Sequence, residues 1–538
     1  MEAQFDYVIV GAGSAGCVVA CRLVEAGYKV ALIEEGPTDK TMFVKMPGAF
    51  IRLIGTERTY LYTGEPQQEL AGRSPIVPQG RMLGGSSSVN AMIYVRGQPQ
   101  DYDDWAAAGA TGWGWQDVLP AFVRAEANEV LTGPLHGTTG HLRVSEPRHR
   151  HPLSSAFVSA AQQAGLPLSR DFNGSVQDGV GFYQTTTFGG QRGSTSATYL
   201  ASVLGRANLH VLTGTRVRRV ILQDGQAKGV ETETLKGGAI NRILAGREVI
   251  LSAGALASPK LLMLSGIGDP AELALAGVPV LHKLNGVGQN FQDHLEVSVY
   301  GRTRQPISLL GQDQGLRALR HGLQYQLFRS GLLTSNVVEA GGFVDTTGAG
   351  RPDVQFHVLP VLAGDADRAP LEGHGLSINP CYLRPKSRGR VRLRSQNAGD
   401  PILLEAGFLT AREDLDTLIR GVKLARKIMR QPALQAVVSA ELLPSDRAEI
   451  SDAEIEAHIR NFAKTVYHPS GTCKMGTDPL AVVDPQLRVH GVRGLRVCDA
   501  SVMPSLISGN TNAPTIMIAE RCAEFIQQAH TDAKGQRP

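Results

Sequence analysis

FDYVIVGAGSAG, residues 5–16, is the stretch that decides the fold. Its apolar part is typical of a buried parallel strand, and the glycines follow that strand without a spacer. Gly11 permits the tight turn from strand to helix, Gly13 lets the backbone approach a pyrophosphate, and Gly16 lets the helix pack close to the strand. The stretch therefore predicts an α/β domain that binds a dinucleotide.

A helix is predicted directly after the glycines. It begins at Ser14 and Ala15 and continues to about Glu25. Its free N–H groups and the positive end of its dipole would then point at the phosphates of the ligand. The first helical turn is thus expected to bind through its backbone.

A second predicted strand, Lys29–Ile33, ends at an acidic residue. Glu34 lies eighteen residues after Gly16, a spacing that suits a carboxylate accepting hydrogen bonds from a ribose diol. Glu35 is a close alternative, because a sequence places strand ends only to within a few residues. The stretch alone leaves NAD, NADP and FAD open, although Glu34 disfavours NADP by repelling its 2′-phosphate.

Composition indicates a soluble globular α/β protein. The chain has 538 residues, of which 42% are hydrophobic and 19% charged, enough for two or more domains with a large core. Its 54 basic and 50 acidic residues give a net charge of +4, too balanced to predict nucleic acid or an anionic membrane as a partner. No apolar run reaches the ~18 residues that a membrane helix needs, so no integral membrane segment is expected.

Cysteine usage and the N-terminus predict the compartment. The six cysteines form no C-x-x-C pair and are too few for a disulfide scaffold. The first four residues, MEAQ, lack the basic and apolar regions of a secretion signal. We therefore expect a cytoplasmic protein with reduced thiols.

A second glycine-rich stretch, GRMLGGSSSVNA, occupies residues 80–91. Its small residues are compatible with a flexible linker. Met82, Leu83 and Val89 argue against that interpretation, because a solvated linker needs no apolar side chains.

Later patterns divide the chain further. The strand REVILSAG at residues 247–254 precedes a helix that starts near Ser258, again the geometry in which a backbone approaches a nucleotide. Residues 300–444 show alternating strands and then helical periodicity from Ala411 to Met429. We predict a substrate domain on an antiparallel sheet, inserted into the nucleotide domain.

The last part of the chain returns to the first domain. A buried strand is predicted from Gly494 to an acidic end at Asp499, and a C-terminal helix runs from Ala513 to about Gln528.

Four separated segments resemble the glucose-methanol-choline (GMC) family of FAD-dependent oxidoreductases. They lie at residues 80–90, 254–268, 467–476 and 499–515, and the likeness extends over nearly the full chain. Within the family the chain looks most similar to bacterial sorbose dehydrogenase-like alcohol dehydrogenases. The resemblance implies an FAD-binding Rossmann-type α/β domain with an inserted α+β substrate domain built on an antiparallel sheet.

The domain plan combines the resemblance with the patterns. The FAD-binding domain is predicted over residues 1–299, with family signatures at 80–103 and 254–268. The remaining units are the substrate-binding domain over 300–455, a return to the FAD-binding domain over 456–530, and a tail over 531–538.

The resemblance also implies a reaction, the oxidation of a primary or secondary alcohol to an aldehyde or ketone. The hydroxyl proton would move to a base and the hydride to flavin N5. His468 would be the base, since a neutral histidine accepts a proton near neutral pH. Asn512 would donate a hydrogen bond to the alcohol oxygen, and Asn510 is the alternative if the register is two residues off.

Binding residues follow from the same resemblance. Val217 would lie beside the adenine, Asn90 and Ala91 near the isoalloxazine, and Asp499 with Ala500 near the pyrophosphate or ribityl chain. The remaining predicted FAD contacts are Gly11, Gly13, Ser14, Ala15, Gly16, Glu34, Leu83, Gly84, Ser86, Ala253 and Thr515. Val466 and Tyr467 would contact the substrate, and no metal is expected.

One residue departs from part of the family. Some choline-oxidising relatives attach FAD covalently through a histidine just before the asparagine, and Val89 stands at that position. We therefore predict non-covalent FAD.

Other functions stay open from the sequence. The same scaffold hosts hydroxynitrile lyases, and an alcohol oxidase would produce peroxide where a dehydrogenase would not. The opening stretch taken alone would also fit an NAD-dependent enzyme or a non-catalytic nucleotide-binding module. Dioxygen, a quinone or a soluble carrier could each accept the electrons, while the alcohol and the oligomeric state are not specified.

Overall fold

A computed structural model describes residues 2–364 and 369–535, with side chains described for 4–364 and 369–529. Two large sheets organise the chain, one mostly parallel and one antiparallel. Of the predicted tail, residues 531–535 continue the C-terminal helix, and residues 536–538 lie outside the described residues.

The helices are given in chain order. They are α1 Ser14–Glu25, α2 Met42–Lys45, α3 Pro99–Ala107, α4 Trp115–Ala125, α5 Pro152–Gln163, α6 Ala201–Val203, α7 Ala257–Leu264, α8 Pro270–Leu275, α9 Gly315–Phe328, α10 Arg412–Met429, α11 Pro432–Gln435, α12 Asp452–Phe462 and α13 Asn512–Gly535.

The strands follow in the same way. They are β1 Glu2–Val10, β2 Val30–Ile33, β3 Thr59–Thr63, β4 Ile76–Gly80, β5 Glu126–Asn128, β6 Leu142–Val144, β7 Gly179–Phe182, β8 Thr187–Phe188, β9 Gln191–Arg192, β10 Leu209–Leu212, β11 Thr215–Gln223, β12 Gln226–Thr234, β13 Ile240–Leu251, β14 Ile267–Gly268, β15 His282–Lys283, β16 Leu295–Glu296, β17 Val299–Thr303, β18 Ala340–Val344, β19 Val354–Leu359, β20 Gly375–Tyr382, β21 Arg390–Leu393, β22 Ile402–Glu405, β23 Val438–Leu443, β24 Lys464–Thr465 and β25 Leu495–Val497.

The first sheet has the strand order β10-β2-β1-β13-β12-β11, and β25 pairs with the far end of β13. Strands β10, β2, β1, β13 and β25 run parallel to one another, whereas β12 pairs antiparallel with β13. Val10, Ile33, Leu251 and Val497 are in register at one edge. Ligands of open parallel sheets bind at this carboxyl edge, so four distant segments converge on one place.

The second sheet has the order β23-β17-β20-β19-β18-β7, with β16 pairing β20 and β24. Its neighbours pair antiparallel, as predicted for the substrate domain. β7 comes from residues before 300, and β24 follows 455, so the sheet draws strands from outside the inserted segment. α10 packs on this sheet through the buried side chains of Leu415, Leu418, Ile419 and Val422.

Several predicted elements are confirmed. α1 spans the residues expected from the glycine stretch, β2 begins one residue late, and α10 begins one residue after Ala411. α13 starts at Asn512 and is longer than predicted. The six cysteines are buried and unpaired. Across residues 2–364 and 369–535, no helix combines the length and apolarity needed to span a bilayer.

Candidate active site

A cavity of about 1650 Å³ joins the carboxyl edge of the first sheet to the second sheet. Most of the predicted FAD contacts line it, as do Val466, Tyr467, His468, Asn510 and Asn512. Gly16, Leu83 and Gly84 do not line it, and they support the loops behind its wall. One cavity therefore contains both the predicted nucleotide site and the predicted base.

The first glycine loop is shaped by close backbone contacts. Gly11 has a φ of +95°, and a Cβ there would lie 2.5 Å from the carbonyl oxygen of Ser252. A Cβ on Gly16 would lie 1.9 Å from the carbonyl oxygen of Gly11, so α1 can pack this closely only with a glycine at position 16. Gly13 lines the cavity, with no atom within 3.8 Å of the place where its Cβ would be.

The second glycine-rich stretch is a structured turn, which excludes the linker interpretation. Residues Gly85–Ser88 form a 3₁₀ turn, and the Gly84 N–H donates to the Ala12 carbonyl at 2.7 Å. A Cβ on Gly85 would lie 2.6 Å from the Cα of Gly13, so the two glycine loops cross in contact. Leu83 and Ser88 are buried beneath them. Glycine here permits backbone packing and not flexibility.

The two acidic residues after β2 have different surroundings. The Glu34 carboxylate is buried and accepts from the Ala12 N–H at 3.0 Å and the Gly36 N–H at 2.9 Å. Burial raises the pKa of Glu34 to about 7. The Glu35 carboxylate instead pairs with Arg81 at 3.1 Å and Arg216 at 2.9 Å. Glu34, fixed against the glycine loop, is better placed to accept from a ligand diol.

The segment around β25 and Asp499 forms part of the cavity wall at the nucleotide end. Asp499 accepts from the Gly254 N–H at 2.9 Å and from the Ser258 hydroxyl at 2.6 Å, which ties β25 to the loop after β13. Asp499, Ala500 and Ala253 line the cavity. The Ser252 hydroxyl beside them is buried and has no hydrogen-bond partner among the described residues, so the wall presents an unused donor and acceptor.

His468 lies at the other end of the cavity, with its ring between two partners. Its Nδ1 is 2.9 Å from Nδ1 of His294, and its Nε2 is 3.2 Å from Nδ2 of Asn510. Burial lowers the pKa of His468 well below 6.5, and the neighbouring His294 and His357 lower it further. The ring is therefore neutral near neutral pH.

The tautomer of this histidine pair follows from one carbonyl. Nε2 of His294 is 2.9 Å from the Leu383 carbonyl, which can only accept, so this nitrogen carries the proton. Burial lowers the pKa of His294 to about 3, so the ring is neutral and its Nδ1 is an acceptor. Nδ1 of His468 must then donate to it. The lone pair of His468 consequently lies on Nε2, the atom that meets Asn510.

The amide that meets His468 belongs to Asn510, the alternative register. Gln355 donates to Oδ1 of Asn510 at 3.1 Å, which turns Nδ2 of Asn510 toward the histidine. Asn512 is the first residue of α13, and its Oδ1 accepts from the Ser14 hydroxyl at 2.8 Å. The structure thus places Asn512 at the nucleotide end and not beside His468, because Asn510 precedes α13 while Asn512 is its first residue, and their amides meet different partners.

A left-handed residue and a buried carboxylate fix the backbone around His468. Tyr467 has a φ of +68°, a left-handed conformation that is uncommon for a tyrosine and typical of functional sites. The Asp293 carboxylate accepts from the His468 N–H at 2.8 Å and also from the Thr465 hydroxyl. Burial raises the pKa of Asp293 to about 7.

A second histidine, which sequence reasoning missed, also lines the cavity. Nδ1 of His357 on β19 lies 2.8 Å from the Glu296 carboxylate on β16. Its Nε2 is buried and has no hydrogen-bond partner within the part of the chain that the structure describes. Burial raises the pKa of Glu296, but His357 and Lys464 lower it more, so the net shift is downward.

These missed residues left little trace in the sequence. His294 and Glu296 lie in QDHLE, residues 292–296, which ends a loop and shows no periodicity. His357 lies on an alternating strand whose histidine would ordinarily be a core residue. The pairing of β16 with β20 and β24, and of β19 with β20, brings these segments to His468.

Comparison with known proteins agrees with this geometry. Models of the GMC oxidoreductase family match residues 5–296 and 385–519. The chain belongs to the GMC oxidoreductase family. An alcohol dehydrogenase [acceptor] of Pseudomonas putida is 43% identical over 531 residues, covering 97% of this chain and 96% of the relative. The mitochondrial choline dehydrogenase of Homo sapiens is 43% identical over 536 residues, covering 97% and 90%.

Solved structures give the same family fold. Pyridoxine 4-oxidase from Mesorbium loti has a TM-score of 0.88 with 33% identity, covering 98% of this GMC oxidoreductase and 99% of that chain. The α/β fold with an antiparallel substrate sheet is thereby confirmed. The chain is an FAD-dependent oxidoreductase that acts on CH–OH donors, as its family membership shows.

The residues of this GMC oxidoreductase fit FAD. The glycine crossing leaves room for a pyrophosphate, the α1 N-terminus faces the cavity, and Ser252 has an unused hydroxyl there. Glu34 and Val217 line the part of the cavity predicted for the ribose and adenine. Asn90, Ala91 and Thr515 line its wall as well. These individual contacts stay predictions.

Proposed function

We propose that the protein oxidises a neutral primary or secondary alcohol, with His468 as the base and Asn510 as the hydrogen-bond donor to the alcohol oxygen. The observation that carries the proposal is the 3.2 Å contact between His468 Nε2 and Asn510 Nδ2, in the cavity that also contains the nucleotide site. A ring nitrogen with a free lone pair and an amide donor converge there.

The roles follow from the atoms. Nε2 of His468 has a lone pair and accepts the hydroxyl proton, because Nδ1–H is committed to His294. Asn510 donates to the oxygen as negative charge develops on it, and Gln355 keeps the amide in the donating orientation. FAD, when bound, supplies the acceptor for the hydride that leaves the carbinol carbon.

Charge at the reactive end favours a neutral substrate. Glu296 is the acid beside His357, and its carboxylate accepts from His357 and Asn379 and lies 3.6 Å from the Lys464 ammonium. Because these partners already balance its negative charge, Glu296 attracts a quaternary ammonium group such as that of choline only weakly. Nε2 of His357, which has no hydrogen-bond partner among the described residues, instead offers a contact to a second hydroxyl of a polyol.

The cofactor is proposed to be non-covalent FAD. Val89 lines the cavity at the position where some relatives have the attaching histidine, and it offers no nucleophile. Acid precipitation of the holoenzyme should leave the flavin in the supernatant, and a flavin that stays with the polypeptide would contradict this. Dioxygen, a quinone or a soluble carrier remains proposed as the acceptor. The cytoplasmic location is supported by the buried, unpaired cysteines.

The deciding experiment mixes holoenzyme with alcohols in the absence of oxygen and follows loss of flavin absorbance. Neutral primary and secondary alcohols, including polyols, should bleach the flavin faster than choline at equal concentration. Repeating the reaction in air and measuring peroxide separates an oxidase from a dehydrogenase.

A His468→Ala variant should reduce the flavin at least about 100-fold more slowly, the usual loss of a general base. His210→Ala is the matched control, because His210 is exposed and lies outside the cavity. Full rate in His468→Ala would refute the base. Faster bleaching by choline than by any neutral alcohol would refute the substrate class.

A further inference from the structure

Helix α9 presents its apolar face to solvent. Leu316, Leu319, Leu323 and Leu327 are 83%, 57%, 54% and 70% exposed, while Tyr325 on the opposite face is 1% exposed. Their spacing of three and four residues puts the leucines in one stripe along the helix. A surface helix of a globular protein normally buries such a stripe, so this one is inverted.

The helix that carries the stripe forms part of the cavity wall. Ala318, His321 and Gly322, on the inner side of α9, line the cavity. Across the opening, α2 and the turn at Pro47–Leu53 expose Met42, Phe43 and Ile51, which also line it. We name the segments 40–56 and 314–338 the rim.

The two sides of the rim are joined at the surface. Arg52 pairs with Asp313, which directly precedes the second segment, at 2.7 Å. The 3₁₀ turns Pro47–Leu53 and Leu332–Thr334 also pack together. The apolar side chains of both segments are therefore held around one opening.

The rim is strongly basic although the chain is not. Neither segment contains an aspartate or glutamate, and each carries three lysine or arginine residues: Lys40, Lys45, Arg52, Arg317, Arg320 and Arg329. Of the solvent-accessible acids that directly flank the segments, Asp39, Glu57 and Asp313, the last already pairs with Arg52, so basic residues remain in excess. The whole chain has a net charge of only +4. Balanced overall charge, which argued against an anionic partner, thus conceals a local concentration of positive charge.

We propose that the rim docks on the surface of an anionic phospholipid bilayer, with the leucine stripe in the boundary between headgroups and acyl chains and the cavity mouth facing the lipid. Exposed leucine and phenylalanine combined with flanking lysine and arginine is the composition of helices that lie in a membrane interface. The basic residues would contact the anionic headgroups. No spanning helix is required, in agreement with the described helices.

Charge decides between a bilayer and a second copy of the chain. Two rims facing each other across a twofold axis would bring ten cationic side chains together, five from each copy, since Asp313 already compensates Arg52. An anionic surface neutralises the same charges. The proposal does not depend on the identity of the alcohol or on the catalytic residues.

The test is flotation of the holoenzyme with vesicles of phosphatidylcholine and phosphatidylglycerol, compared with vesicles of phosphatidylcholine alone. We expect binding to the anionic vesicles that weakens as salt is added. Leu319→Gln with Leu323→Gln should lower the bound fraction at least about tenfold, because both leucines enter the interface. Arg317→Gln with Arg320→Gln should remove most of the preference for phosphatidylglycerol.

The matched control is Leu204→Gln with Leu275→Gln, since these leucines are 52% and 74% exposed and lie outside the rim. It should bind like the unaltered protein. Flavin absorbance and the rate with a water-soluble alcohol should be unchanged in all three variants, which shows that they fold.

Three results would overturn the proposal. The first is a holoenzyme that does not float with anionic vesicles at low salt, and the second is a leucine variant that floats as well as the unaltered protein. The third is a sedimentation experiment in which the leucine variant converts a dimer to a monomer without any change in vesicle binding, which would assign the rim to a second copy.

Discussion

The two ends of the cavity differ in whether backbone atoms or side chains form them. The nucleotide end is made of backbone: Gly11, Gly13 and Gly85 let loops cross within van der Waals distance, and Glu34 is held by two N–H groups. The reactive end is made of side chains from segments 174 residues apart in the case of His294 and His468.

This difference shows what each end requires. Close backbone contact needs glycine at fixed positions, and each glycine is visible in the sequence even though the contacts join distant segments, as for Gly11 with Ser252 and Gly13 with Gly85. Proton transfer needs a defined tautomer and a donor, and these depend on side chains that only the folded sheets bring together. The two ends should therefore respond differently to substitution.

The largest expected effect is at the nucleotide end. Gly11→Ala places a Cβ 2.5 Å from the Ser252 carbonyl oxygen in a backbone with φ of +95°. We expect the variant to be purified without flavin. The ratio of flavin to protein absorbance measures this.

Gly27→Ala is the matched control for Gly11→Ala. Gly27 has a φ of +88° but nothing within 4 Å of its Cβ position, so only the left-handed strain of about 1–2 kcal/mol applies. This variant should lose some thermal stability and retain full flavin. Full flavin in Gly11→Ala would show that the loop crossing tolerates side chains.

The next effect distinguishes the role of Asn510, just before α13, from that of Asn512, its first residue. Asn510→Ala should lower kcat about 100-fold with unchanged flavin content, since it removes the donor to the alcohol oxygen. Asn512→Ala should change kcat less and loosen FAD, because its contact is with Ser14 in the first helical turn. Stopped-flow reduction and flavin content measure the two properties.

The reverse ranking would return the role to Asn512. It would also mean that the loop between His468 and α13 rearranges when substrate binds.

The fold was largely predictable from local pattern. The strand, glycines and helix of residues 5–25 are local, and so are the apolar stripe of α10 and the strand that ends at Asp499. Each depends on periodicity or on glycine geometry within about 20 residues, where sequence patterns are informative. The segment 80–91 was ambiguous because glycine serves both mobile linkers and close packing, and only the contact of Gly85 with Gly13 decides between them.

The reactive end was predictable only in part. His468 was found through a motif, while its partners were not. His294 and His357 carry no local signal, since their role arises from β-sheet pairing over long separations. Asn510 and Asn512 lie two positions apart on either side of the start of α13, and a sequence does not place a helix start well enough to tell which of the two faces His468. The leucines of α9 have a spacing that is typical of a buried helix face, and only the fold shows that they point outward.

A smaller effect tests the histidine pair. His294→Leu removes the acceptor for Nδ1–H of His468, so the ring loses its fixed tautomer. We expect kcat to fall about tenfold with unchanged flavin content, as for other partners that orient a reacting group. His294→Asn keeps an acceptor near the position of Nδ1 and should recover most of the rate.

The comparison between Leu and Asn at position 294 separates positioning from packing. Equal loss in both variants would mean that His294 acts only by filling space. Recovery in the asparagine variant, with kcat and not KM changing, would support the tautomer.

The smallest effect concerns pH, which should act on FAD binding at the nucleotide end and not on kcat/KM at the reactive end. Burial raises the pKa of Glu34 to about 7 in the protein without FAD, so this carboxylate gains a proton as the pH falls through that value. FAD needs the ionised carboxylate, because only that form can accept hydrogen bonds from both ribose hydroxyls. FAD affinity should therefore decrease below pH 7, by about tenfold at most per pH unit because one proton is linked. The pKa of His468 is well below 6.5, so kcat/KM at saturating FAD should stay constant across the same range and fall only in more acidic solution. Equilibrium binding of FAD and steady-state rates measure the two curves separately. Coincident curves with an inflection near 6.5 would contradict the neutral, buried His468 and would mean that one group controls both ends.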